Sequence, residues 1–173
     1  MEQSKKVANY FKNMQEEYKI QKIISCDLNR AKQTADIINE ELKLPIEYTE
    51  KLREMNNGEI AGMLNEEVEK LYPGLYYNTL EIDEKYPGGE SPIDFYNRIE
   101  KNFNEIINEN KNLDSIMLVT HSGVINILYH VIRKLEWSNK QKGFPATNTS
   151  IHRIVINDNE KYIDIENLKE HLN

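Results

Sequence analysis

Three side chains suited to phosphate chemistry each stand just beyond an apolar run in the sequence. Arg30 follows the run IIS at 23–25, Glu54 follows the run at 46–52, and His121 follows IMLV at 116–119. In an open parallel sheet, ligands bind at the carboxyl ends of the strands. A guanidinium, a carboxyl group and an imidazole together at such positions predict a binding site for a phosphate group.

His121 stands where a predicted strand passes through Ser122 and Gly123 into a helix. Free N–H groups at a helix N-terminus bind anions, so we expect His121, Ser122 and Gly123 to face a phosphate. As a cation, the imidazole can donate hydrogen bonds to phosphate oxygens, and near its ordinary pKa it can transfer protons. The alternative is a core histidine whose ring is satisfied by a backbone carbonyl.

Arg30 opens the helix that follows the first strand, although a helix N-terminus favours negative charge. A phosphate held by both arms of the guanidinium would supply that charge, and Asp27 is the alternative partner. Glu54 could protonate a leaving oxygen as a general acid. Beside Arg53 in a loop, it could instead form an ordinary surface ion pair.

The elements that must position these side chains alternate along the chain, which predicts an α/β fold. Apolar spacing of three and four residues predicts helices over 4–18, 29–42, 91–108 and 123–135. Short apolar runs predict strands over 20–25, 46–52, 115–120, 150–156 and 162–165, the last two antiparallel. We expect a single domain over 1–173, with a mostly parallel sheet between two helical layers. Residues 56–89 are expected to insert over one end of the sheet and select the substrate, and the tail from 166 to form a terminal turn.

Composition excludes several classes of protein. A formal net charge of -7 and a pI near 5.2 argue against nucleic acid as a partner, because that affinity rests on clustered Lys and Arg. Neither a secretory leader nor an apolar stretch of spanning length occurs, so no membrane association is expected. Cys26 is the single cysteine and has no zinc-ligand spacing around it. We therefore predict a cytoplasmic protein without a metal site, and Cys26 as a small buried residue.

Five segments resemble, in order, the motifs of the histidine phosphatase superfamily, which has a phosphoglycerate mutase-like fold. They are SCDLNRAKQTA at 25–35, LREM at 52–55 with Gly58 and Gly62, GGES at 88–91, VTHSGV at 119–124 and NTSI at 148–151. The resemblance covers roughly residues 2–172. It implies that Arg30 binds phosphate, Glu54 donates a proton, and His121 contacts the transferred group.

One element of the family pattern is absent from this sequence. The family's opening strand carries an Arg-His-Gly motif with the histidine that becomes phosphorylated, and the histidines here are 121, 130, 152 and 171. The resemblance implies a three-layer sandwich whose first strand is missing beside the strand ending at His121. Three hypotheses remain open: an internal start or truncated form of an ordinary phosphatase, a non-catalytic phosphoester-binding relative, and an assembly component whose slot a partner chain fills.

The resemblance favours phosphomonoester hydrolysis through a phosphohistidine, without a cofactor, on a small phosphorylated substrate. Because the segment between Glu54 and His121 is short, the resemblance favours phosphoglycerate mutase activity less. Without the nucleophile, the 173-residue chain is expected to be impaired or inactive. An open slot in the sheet also raises the chance of a homo-oligomer.

Overall fold

A computed structural model describes residues 1–157 and 160–173. Six α-helices are found in that part of the chain: α1 (Glu2–Asn13), α2 (Gln15–Tyr18), α3 (Asn29–Leu42), α4 (Asn65–Leu71), α5 (Pro92–Glu109) and α6 (Ser122–Arg133). Five strands accompany them: β1 (Lys22–Cys26), β2 (Ile46–Thr49), β3 (Ile116–Val119), β4 (Ile151–Ile156) and β5 (Lys161–Leu168). Short 3-10 turns occupy Glu50–Leu52, Gly58–Ile60 and Glu170–Leu172.

The strands form two separate sheets. Three parallel strands lie in the order β2-β1-β3, with Ile23 opposite Ile46 on one side and Met117 on the other. Strands β4 and β5 form an antiparallel pair of their own. The expected α/β class and parallel sheet are therefore confirmed, but the last two strands do not hydrogen-bond to that sheet.

Two apolar clusters lie on the two sides of the parallel sheet, as the alternation of a strand requires. Ile24 belongs to the cluster formed with α5 and α6, whereas its neighbour Ile23 belongs to the cluster formed with α1 and α3. Strand β1 is consequently buried on both faces. This is the expected three-layer arrangement of helices, sheet and helices.

Helix α5 shows how local sequence signals set an element. The Ser91 hydroxyl accepts a hydrogen bond from Asp94 N at 3.2 Å, and Pro92 occupies the first turn. Both are favoured at helix starts, because the first N–H groups have no partner within the helix. A buried stripe on one face then directs the helix onto the sheet: Phe95, Ile99, Phe103 and Ile106.

Several predicted boundaries were wrong. The strand expected over 46–52 ends at Thr49, whose hydroxyl accepts from Lys51 N at 3.2 Å and starts a 3-10 turn. The helix expected over 4–18 breaks at Met14, where φ is -107°. The last strand extends to Leu168 rather than ending at 165, and the terminal 3-10 turn follows it. No helix among the described residues has the length and apolarity needed to cross a lipid bilayer.

Candidate active site

Arg30 and His121 meet at the carboxyl edge of the parallel sheet, although 91 residues separate them in the chain. Arg30 lies in the first turn of α3 and His121 immediately precedes α6, so each follows its strand as the sequence predicts. Arg30 Nε donates to His121 Nδ1 at 3.2 Å, and His121 Nε2 lies 3.1 Å from Cys26 Sγ. Because Nδ1 accepts a hydrogen bond, Nε2 carries the proton of the neutral ring. Nε2 therefore donates a hydrogen bond to the sulfur of Cys26.

His121 is uncharged at neutral pH, rather than the cation that its position in the sequence suggested. Burial, and then the nearby positive charge of Arg30, lower the pKa of His121 from 6.5 to about 4. Both causes disfavour the imidazolium. The ring is therefore neutral at pH 7 in the free protein, and Arg30 is the cation of the pair.

Cys26 lies at the end of β1 beneath this pair. Its side chain is fully buried, and burial raises the pKa of the Cys26 thiol, with a smaller contribution from Asp27 in the same direction. A thiolate is therefore disfavoured at neutral pH, and the thiol serves as a packing and hydrogen-bonding group. This agrees with the expectation of a small buried residue.

Glu54 reaches the same edge from the loop after β2. Its carboxylate accepts from Gly123 N at 3.0 Å and from Met55 N at 3.2 Å, so it lies at the N-terminus of α6. A Cβ atom on residue 123 would come within 2.2 Å of Glu54 Oε1, which explains why a glycine is needed there. Among the described residues, Glu54 does not form the ordinary surface ion pair that was considered for it.

Arg53 and Asp27 form that surface pair instead. Arg53 Nε donates to Asp27 Oδ1 at 2.7 Å, and this hydrogen bond is the main cause that holds the pKa of Asp27 below its ordinary value. Asp27 was considered as the partner of Arg30, and this interpretation was wrong, since both of its oxygens face Arg53. Arg30 is thereby left with only the neutral His121 ring as its side-chain partner among the described residues.

A second ion pair fixes the loop that carries Glu54. Arg98 Nε donates to Glu90 Oε1 at 2.6 Å, and its terminal nitrogens donate to the carbonyl oxygens of Arg53 and Glu54. The other Glu90 oxygen accepts from Asn56 N at 2.8 Å. Arg98 was not identified from the sequence, although its position on α5, eight residues after Glu90 of the GGES motif, was the available signal.

Glu54 also lines a second cavity, of about 450 Å³, which Arg30 does not line. Its walls come from α6, the loop after α6 and several residues between 54 and 86. Asn57, Tyr77, Asn78 and Tyr86 belong to the segment 56–89 that was expected to select the substrate. The walls include the side chains of Tyr77, Asn126, His130, Trp137 and Lys142. His130, expected to be structural, is buried and its Nδ1 contacts Asn126 O at 2.8 Å. The loop residues were missed because nothing near them in sequence marks a site.

The expected residues thus lie around one point in space. Arg30, Glu54, His121 and Ser122 line a common cavity, and Gly123 adjoins it through the carboxylate of Glu54. The exposed N-terminus of α6 and the Arg30 guanidinium supply donors and positive potential suited to an anion. Across residues 1–157 and 160–173, no cluster of three His, Cys, Asp or Glu side chains is arranged to hold a metal ion.

Known proteins share this sequence and fold. Residues 1–169 match the profile of the histidine phosphatase superfamily (branch 1). The chain is 30% identical to phosphoglycerate mutase-like protein 4 of Arabidopsis thaliana, over 98% of this chain and 74% of that protein. It is 29% identical to phosphoserine phosphatase 1 of Hydrogenobacter thermophilus, over 87% and 71% respectively.

Among solved structures, YhfR of Bacillus stearothermophilus superimposes with a TM-score of 0.84 at 20% identity, over 100% of this chain and 86% of that one. The shared fold includes the parallel sheet and the helices on both of its faces. With a family profile that matches almost from end to end, the chain belongs to the histidine phosphatase superfamily, branch 1.

Proposed function

We propose that this site binds and processes small phosphomonoesters as a phosphatase of the histidine phosphatase type. The observation that carries the proposal is the meeting of Arg30, His121 and Glu54 at the N-terminus of α6. The similarity to a protein named a phosphoserine phosphatase supports hydrolysis over mutase chemistry. A site within the reducing cytoplasm is consistent with the one buried, unpaired cysteine.

Arg30 is the principal phosphate ligand in this proposal. Its guanidinium is exposed and free of any carboxylate partner in the described chain, so a phosphate meets a cation that no internal anion neutralises. The exposed Ser122 adds the N–H and hydroxyl groups of a helix N-terminus. A charge-assisted bidentate contact of this kind is stronger than a neutral hydrogen bond.

His121 adjusts to the charge state of the ligand. A dianionic phosphate beside the ring would raise the pKa of His121 from about 4, because an adjacent negative charge favours the imidazolium. The protonated ring then donates a hydrogen bond to a phosphate oxygen. Its positive charge stabilises the negative charge that develops on the transferring group. Phosphate binding is therefore expected to take up protons in weakly acidic solution.

Glu54 lines both the cavity that contains Arg30 and His121 and the 450 Å³ cavity. A leaving oxygen would emerge toward that cavity, so the carboxyl group is placed to protonate it. The organic part of the substrate would then contact Tyr77, Trp137 and Lys142. A polar leaving group with an anionic substituent fits this lining, since Lys142 forms no ion pair within the described residues.

A covalent phosphohistidine route needs a second histidine next to Arg30. Of the remaining histidines, His130 bonds to Asn126, His152 to Tyr129 and Ser150, and His171 to Thr149. None of these three hydrogen-bonds to Arg30 within the described residues. We therefore expect the 173-residue chain alone to bind phosphate but to turn over phosphomonoesters slowly, because without the nucleophile only binding and electrostatic stabilisation remain.

Two assays test these statements separately. Calorimetry with inorganic phosphate is expected to show saturable binding that Arg30→Ala weakens tenfold or more, with Lys12→Ala, a distant exposed lysine, as the matched control. Hydrolysis of p-nitrophenyl phosphate is expected to be near background in wild type and His121→Ala alike. A folded chain without phosphate binding would refute the proposal, and fast turnover abolished by His121→Ala would show that no further nucleophile is required.

Phosphate binding without turnover would also favour the second candidate function, a non-catalytic phosphoester-binding protein. The specific observation behind this candidate is that Arg30 faces only one histidine in the described chain.

A further inference from the structure

The cavity of about 450 Å³ beside Glu54 extends along one face of α6. Ser122, Asn126 and His130 line it at intervals of four residues, which places them on the same side of the helix. His130 lies eight residues after Ser122, a separation of about 12 Å along the helix axis. The cavity therefore reaches from the end of α6 that faces the phosphate in the proposed function to a histidine two turns further along.

His130 has a free hydrogen-bond acceptor at this far end. The residue is 6% exposed, and its Nδ1 lies 2.8 Å from Asn126 O. Because a carbonyl oxygen only accepts, Nδ1 carries the proton of the neutral ring and Nε2 keeps a lone pair. Nε2 has no hydrogen-bond partner among the described residues, and it is not enclosed by protein atoms, unlike the unpartnered Nδ1 of His171. A donor on a ligand in the cavity would satisfy this nearly buried nitrogen.

Two asparagine side chains hold the walls of the cavity in place. Asn126 Nδ2 donates to Phe144 O at 3.2 Å, and Asn139 Nδ2 donates to Tyr77 O at 2.7 Å. A Cβ atom on residue 143 would come within 2.5 Å of Asn126 Oδ1, so Gly143 lets the loop after α6 approach the helix this closely. The cavity is thus preformed, as small-molecule sites usually are, and its volume of about 450 Å³ lies in their usual range.

Aromatic side chains indicate the kind of group that would fill the cavity. Four of them line it: Tyr77, Tyr86, Phe95 and Trp137. The Trp137 ring is held against Tyr96, with ring centroids 4.8 Å apart. Aromatic rings pack on one another in offset or edge-on arrangements, so these walls favour a ligand with a flat, apolar body.

We propose that the alcohol part of the substrate is a long, ring-containing group that spans this cavity and donates a hydrogen bond from its far end to His130 Nε2. The inference rests on the proposed phosphatase-type function and deepens it, with His130 as a residue that determines specificity. A short alcohol such as that of phosphoserine, held at the N-terminus of α6, could not reach a side chain about 12 Å further along the helix.

The test measures binding to the full chain by calorimetry with matched ligands. Hydroxybiphenyl phosphate carries its hydroxyl at the far end of the second ring, and fluorobiphenyl phosphate has fluorine there, which is similar in size but has no donor. Phenyl phosphate lacks the second ring. We expect the hydroxyl ester to bind at least tenfold more tightly than phenyl phosphate, and about fivefold more tightly than the fluorine ester, as for one buried hydrogen bond.

Two variants assign the hydroxyl preference to a residue. His130→Phe keeps a ring at the far end of the cavity but removes the acceptor, so the preference for hydroxyl over fluorine should fall below twofold. His171→Phe is the matched control, because His171 does not line the cavity, and it should keep the full preference. A general loss of packing would weaken both esters alike and leave their ratio unchanged. Should His130→Phe fail to fold, the comparison of the three esters on the wild-type chain still decides.

Inorganic phosphate, measured on the same samples, separates this inference from the proposed function. Equal affinity for the three esters while phosphate still binds would overturn the inference and leave the phosphatase proposal standing. A hydroxyl preference that persists in His130→Phe would overturn the role of His130. A folded chain that binds neither phosphate nor any ester would overturn both proposals.

Discussion

The neighbouring strands β1 and β3 are alike in sequence and unlike in environment. In β1, Ile23, Ile24 and Cys26 are at most 1% exposed, because the strand pairs on both edges. In β3, only Met117 is buried, at 9%, and the other residues are half-buried. An apolar run marks a strand, but its burial depends on whether both edges have partners.

The largest expected change in stability comes from truncating an apolar side chain in each of the two strands. Ile23→Ala should lower the free energy of unfolding by about 4 kcal/mol, since it removes a fully buried side chain from a closed environment. Leu118→Ala should cost only about 2 kcal/mol, because that side chain is half-buried and lines the cavity that also contains Arg30 and His121. Urea denaturation measures both. Equal losses would contradict the picture of β3 as an incompletely covered strand.

The next effect concerns the histidine at the end of β3. The pKa of His121 is about 4 in the folded chain against 6.5 ordinarily, so the unfolded chain binds protons more readily between these values. The stability contribution is fully present above about pH 6.5 and is lost as the pH falls through this window to about 4. The loss reaches about 3 kcal/mol, at about 1.4 kcal/mol per pKa unit.

Thermal or urea unfolding from pH 7.5 to 4 checks whether stability falls as the pH is lowered, with His121→Gln as the comparison. His152 and His171 also have lowered pKa values, chiefly through burial, so the variant should retain part of the slope. A variant with the full wild-type slope would exclude His121 as its source.

A smaller effect is expected just beyond β3, where Glu54 contacts Gly123. Gly123→Ala would force the Glu54 carboxylate away from the helix N-terminus, at a cost of about 2 kcal/mol. Ser122→Ala is the neighbouring control at an exposed position and should change stability by less than about 0.5 kcal/mol. Similar melting temperatures for both variants would argue against a tight Glu54 contact.

The smallest change in stability is expected at Asp27, the residue that follows β1. Asp27→Asn weakens the pair with Arg53, but the two side chains are 30% and 46% solvent-exposed, respectively. We expect a loss below about 1 kcal/mol that shrinks further in high salt. Chemical denaturation at low and high salt measures it, with Lys12→Met, which removes another exposed pair, as a reference. A loss above 2 kcal/mol would imply that Asp27 also supports the Arg30 site.

Local pattern was sufficient for helix α5. The stripe Phe95, Ile99, Phe103 and Ile106 and the cap Ser91 defined α5 nearly to its ends. It was insufficient where a side chain redirects the backbone, as Thr49 does, because one hydroxyl contact outweighs the propensity of a short strand. Arg30, Glu54 and His121 were identifiable because each follows a strand. Arg98 and Lys142 were not, because neither stands at such a position.

The sequence by itself determined the class of fold, the family and the residue types available for phosphate chemistry. Only the tertiary structure decided that Asp27 pairs with Arg53 and leaves Arg30 to the neutral His121, because these contacts join segments far apart in the chain. It alone decided that β4 and β5 stand apart from the parallel sheet. The reason is that strand pairing depends on which backbone edges meet in space, and an apolar run carries no record of its neighbours.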